Sequence, residues 1–72
     1  MDQKIIDDFV GNAHGNLARV KELLEQYPDI VNQNASWNEY AIEAAALTGN
    51  IPIIELLLSK GAPTNICVET ML

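Results

Sequence analysis

Basic side chains are scarce in this 72-residue chain: four Lys and Arg stand against ten Asp and Glu, a formal net charge of −6. Binding to nucleic acid phosphates needs clustered cations that release counterions, so nucleic acid is excluded as a partner, and an anionic membrane surface is excluded on the same ground. The deficit is even, with six acids and three bases in residues 1–34 and four acids and one base in residues 35–72. Cysteine is nearly absent. The single Cys67 cannot close a disulfide within the chain, so packing must hold the fold, and a reducing, cytoplasmic setting is expected. Only three Pro and four Gly occur beside 49% hydrophobic residues, which rules out a collagen-like or disordered acidic chain. No uncharged run of 18 apolar residues is present, and Asp2, Asp7 and Asp8 lie where a secretory signal would need an apolar stretch.

What is present is helical periodicity, in four segments. The first starts near Asp2 as N-cap, aligns Ile5, Ile6, Phe9 and Val10 on one stripe, and ends at Gly15. The second starts at Asn16, presents Leu17, Val20, Leu23 and Leu24, and stops at Tyr27-Pro28, because Pro disfavours helical conformation in the residue before it. A polar loop, Asn32 to Asn38, follows. The third helix is expected from about Glu39 to Thr48, with Ile42, Ala45 and Ala46 as a narrow small-residue face and Gly49 as left-handed terminator. Asn50 caps the fourth, Pro52 occupies its first turn, and Ile53, Ile54, Leu56, Leu57 and Leu58 lead to Ser59-Lys60-Gly61.

Offsetting the sequence against itself by 34 residues superimposes Gly15-Asn16-Leu17 on Gly49-Asn50-Ile51, Val20 on Ile54, and Leu23-Leu24 on Leu57-Leu58. Such a period marks units that bury their apolar faces by stacking on one another. The second unit, Ala45-Ala46-Leu47-Thr48-Gly49 followed by Ile53-Ile54-Glu55-Leu56-Leu57-Leu58-Ser59-Lys60-Gly61-Ala62-Pro63-Thr64-Asn65, closely resembles the ankyrin repeat. The resemblance covers about residues 9–72 and is similar to a stretch near the N-terminus of bacterial ankyrin-repeat proteins. It implies an all-α, ankyrin-type α-solenoid of two helix-turn-helix repeats with a polar finger loop and a truncated third repeat. Residues 1–34 would form an N-terminal capping repeat, 35–65 an internal repeat, and 66–72 the start of an incomplete third.

The departures matter as well. Tyr40-Ala41-Ile42-Glu43 stands where the family usually has Thr-Pro-Leu-His, so looser locking between neighbouring units is expected. Glu22 occupies the place of Leu56, which suits a terminal repeat whose outer face meets water. In the first unit, Tyr27-Pro28-Asp29-Ile30-Val31-Asn32 replaces the usual Gly-Ala-Asp-Val-Asn stop with one extra residue.

Catalytic chemistry finds no support in these residues. His14 reads as a turn residue, Cys67 as a small apolar filler, and Asp7-Asp8 as a solvated face, since adjacent helical residues point apart. No phosphate loop or metal spacing occurs, so no enzyme, cofactor or metal is expected. The resemblance implies a protein-binding surface of finger tips and exposed first-helix residues: Ser36, Trp37, Glu39, Leu47, Thr48 and Lys60. Trp37 is the sharpest candidate, because indole buries a large area with few rotamers to freeze. Glu39 and Glu43 favour a protein partner with a basic surface. The alternative reading is structural, with an apolar C-terminal face of Leu56, Ile66, Met71 and Leu72 that self-associates as a homo-oligomer or completes a longer array.

Overall fold

The computed structural model describes residues 1–63, and Thr64 to Leu72 are not considered structurally. Four α-helices occupy Gln3–Asn12 (α1), Leu17–Gln26 (α2), Ala41–Thr48 (α3) and Ile51–Ser59 (α4). α1 packs antiparallel-fashion with its successor α2 as one pair and α3 with α4 as the second; α1 also contacts α3, and α2 contacts α4. Two stacked helix pairs result, forming an inner layer of α1 and α3 and an outer layer of α2 and α4. This is the helical solenoid that the internal repeat implies.

Each helix begins where side-chain chemistry satisfies its orphan amides. Asp2 accepts from the Lys4 N–H at 2.9 Å, Asn16 from Arg19 N–H at 3.2 Å, and Asn50 from Ile53 N–H at 3.2 Å. The repeated Gly-Asn pair therefore caps the outer helix in both units. α3 starts two residues later than expected, at Ala41, because Glu39 and Tyr40 are taken into the finger: Tyr40 is extended and bridges Asn34. The Glu43 carboxylate accepts from the Tyr40 N–H at 2.9 Å and so covers the start of the helix from within. α1 ends at Asn12 with Ala13 as C-cap, ahead of Gly15, because the 13–15 segment already turns.

Between α2 and the finger, Pro28–Asn32 forms a short 3-10 helix that periodicity did not signal. Tyr27, before the proline, leaves helical conformation at φ −135° and ψ 79°, as the steric rule requires. The extra residue in this unit lets Ile30 and Val31 turn inward, and both are buried. They join Phe9, Val10, Val20, Ile42, Ile53, Ile54 and Leu57 in one core. The small face of α3 is wider than Ile42, Ala45 and Ala46, since Ala41 and Ala44 are buried too.

Gly49 terminates α3 at φ 69°, and its N–H returns to the Ala45 and Ala46 carbonyls. Space for a side chain exists there, with nothing within 4 Å of an added Cβ. The requirement is therefore conformational. Gly49→Ala is expected to destabilise the chain by about 1 kcal/mol, lowering Tm by about 5 °C in a thermal melt followed by circular dichroism.

Candidate functional site

The finger between the 3-10 helix and α3 is a tight hairpin built by its own backbone. The Ala35 N–H donates to the Glu39 carbonyl at 2.8 Å, and the Asn38 N–H donates to the Ala35 carbonyl at 2.9 Å. Closing so short a loop needs one left-handed residue, and Asn38 supplies it at φ 62°. The Asn34 side-chain amide donates to Asn38 Oδ1 at 3.0 Å, which fixes that residue across the base of the loop.

The hairpin is fastened to the first unit through one carboxylate. Asp7, on α1, accepts from the Ser36 N–H at 2.7 Å through Oδ1 and from the Ser36 hydroxyl at 2.8 Å through Oδ2. Gln3 donates to Asp7 Oδ1 at 2.9 Å and to the Asn34 carbonyl at 3.1 Å. Asp7 is thus not a solvated-face residue, and it makes a cross-unit link at a place the Thr and His pattern did not mark. Its neighbour Asp8 is also committed: Arg19 Nε and Nη2 reach its Oδ2 at 3.1 and 2.7 Å, while Arg19 also meets Glu22. Hydrogen bonds that Arg19 donates to Asp8, and more weakly to Glu22, raise its pKa further above the ordinary range, against a desolvation cost.

Trp37 stands at the tip and is 51% exposed. Its indole N–H donates to Glu39 Oε1 at 2.7 Å, so the ring is tethered by its polar edge and leaves apolar surface in solvent. The same Glu39 oxygen lies 3.8 Å from His14 Nε2, at the turn between α1 and α2. The His14 Nδ1 is 3.0 Å from the Gly11 carbonyl, consistent with a residue that closes its own turn. That separation is longer than a hydrogen bond, so the contact places Glu39 near the first unit without fastening it there.

The remaining candidates are dispersed. Leu47 is 77% exposed near the end of α3, whereas the adjacent Thr48 turns its hydroxyl back to the Ala45 carbonyl at 3.1 Å. Ser36 uses its hydroxyl on Asp7. Lys60 lies just past α4, beside half-buried Leu56 and across from α2, in a separate groove. Ile66, Cys67, Met71 and Leu72 lie outside the described residues. The finger tether of Asp7, Gln3 and Asn34 is what sequence reasoning missed. Among the described residues, no group of three or more His, Cys, Asp or Glu could hold a metal ion, and no helix is long and apolar enough to cross a membrane.

An ankyrin-repeat family model matches residues 38–69, spanning the end of the finger, α3 and α4. The chain is also similar to E3 ubiquitin-protein ligase MIB2 of Gallus gallus, at 32% identity over 71 residues, taking in 92% of this chain. It spans about 7% of that protein's length. No solved structure matches the chain.

The hydrogen bonds from Gln3 and Ser36 hold the Asp7 carboxyl below its ordinary value, outweighing desolvation. A carboxylate whose folded pKa is depressed contributes fully above the unfolded value, and that contribution is lost as pH falls through the folded one. Acidification from about pH 4 downward is expected to free the finger before the core opens. Hydrogen exchange at the Ser36 amide measures this. Asp7→Ala, which removes both acceptor oxygens, should make that amide exchange fast at neutral pH and abolish the acid dependence of its protection; unchanged protection in the variant would exclude the tether.

Proposed function

Because the chain belongs to the ankyrin-repeat family, whose repeats are generally non-enzymatic protein-interaction modules, we propose that it binds a protein partner through its finger tip and the exposed end of α3. The observation that carries this reading is Trp37: a large, half-exposed ring on a hairpin pinned to the neighbouring unit, with its N–H already satisfied. An anchor of this kind loses little conformational freedom on binding, so more of its apolar burial remains as affinity. Leu47 offers a second apolar contact from α3. Glu39 and Glu43 accept hydrogen bonds inside the fold, and their acidic side chains beside the tip favour a partner with a basic surface.

No catalytic step is assigned. The ligase activity in the relative's name is that of a far longer chain. Recognition is the whole of the proposed activity.

Capture from cell lysate on immobilised chain, read by quantitative mass spectrometry, tests the proposal. Trp37→Ala should deplete specific partners about tenfold or more, the loss typical of a central aromatic anchor, while the helical circular dichroism stays unchanged. Those same partners should elute as ionic strength rises, since attraction between exposed charges is screened. An identical capture profile for Trp37→Ala would rule Trp37 out as the anchor.

A further inference from the structure

A groove of about 610 Å³ runs between α2 and α4, on the outer layer, and none of the finger residues lines it. Its lining is Lys21, Leu24 and Glu25 from α2, Pro28 from the 3-10 helix, and Leu56 and Lys60 from α4 and its end. Leu24, Pro28 and Leu56 give it an apolar floor. Lys21 and Lys60 stand in different repeats, so the groove exists only where the two units stack.

The charge of the lining is opposite to that of the molecule. The whole chain carries four basic side chains against ten acidic ones, yet this groove holds two lysines against one glutamate. Arg19 is already engaged by Asp8 and Glu22. Neither Lys21 nor Lys60 forms an ion pair among the described residues. With Glu25 also in the lining, the groove carries a small excess of positive charge on an otherwise acidic chain, and it is here that apolar floor and cations coincide.

We propose that this groove docks a short peptide segment of a partner protein in which apolar side chains are flanked by carboxylates. The apolar side chains lie on Leu24, Pro28 and Leu56, and the carboxylates meet the ammonium groups of Lys21 and Lys60. This surface is distinct from the Trp37 tip, and a partner using both would gain from holding two sites at once.

The test titrates the full 72-residue chain, isotopically labelled for NMR, with a capped synthetic peptide carrying two adjacent leucines between paired glutamates. A control peptide replaces each glutamate with lysine. Amide shifts confined to the surroundings of Lys21, Leu24, Leu56 and Lys60 are expected with the acidic peptide alone. Affinity should fall on the order of tenfold in the K21E/K60E double variant, and by less in K21Q/K60Q. Circular dichroism of both variants confirms that they remain helical. The proposal is overturned by equal binding of the lysine peptide, by affinity unchanged in K21E/K60E, or by no shifts at millimolar peptide. Shifts that map to Trp37 instead also overturn it, and they leave the finger-tip reading standing. Loss of partner capture in Trp37→Ala, conversely, leaves this groove untouched.

Discussion

Small side chains on α3 set how close the two helical pairs can come. Ala41, Ala44, Ala45 and Ala46 are all buried, so α3 meets α1 on one side and α4 on another with Ile42 as its one bulky buried side chain. Larger residues then fill the space from the flanking helices: Phe9 and Val10 from α1, Ile53, Ile54 and Leu57 from α4. Close-packed interiors respond to a single added methylene, so a larger residue at any of these alanines would push the stack apart. Everything described above the core, the finger and the outer groove alike, depends on that spacing.

The helices and their starts were legible because short-range chemistry determines them. Asp2, Asn16 and Asn50 act as caps where they were expected, and Gly49 adopts the left-handed conformation its position suggested. Periodicity identified the stripes of Val20, Leu23 and Leu24 and of Ile53, Ile54 and Leu57. What the sequence concealed lies where local preference is overridden by a neighbour. The 3-10 helix arises because Pro28 can open a helical turn while Ile30 and Val31 are drawn into the core. α3 begins late because the hairpin claims Glu39 and Tyr40. The tether escaped because the bond from Ser36 to Asp7 spans 29 residues, and nothing in either residue type announces it. Of the candidate site, Trp37 was legible as an exposed aromatic in a polar loop. The groove was not, because Lys21 and Lys60 meet only through stacking.

Charge in this molecule is spent unevenly. Asp7 and Asp8 lie next to each other on α1 and serve different ends, one holding the finger and the other holding Arg19 on α2. Exposed pairs such as Arg19 with Asp8 contribute little to stability singly. The contacts join α1 to α2 through Asp8 and α1 to the finger through Asp7. Glu39 and Glu43 are likewise engaged, each partly buried and accepting from an N–H.

The finger belongs by sequence to the second unit but is held by α1 of the first. Its conformation is therefore a report on whether the two units are joined. A partner seated on Trp37, as proposed, would favour the fastened hairpin and, through Asp7, the folded state of α1; by the reciprocity of linked equilibria, fraying of α1 would weaken the partner's hold. The proposed binding tip and the chain's first helix would then rise and fall in stability together, although no partner need ever touch Gln3 or Asp7.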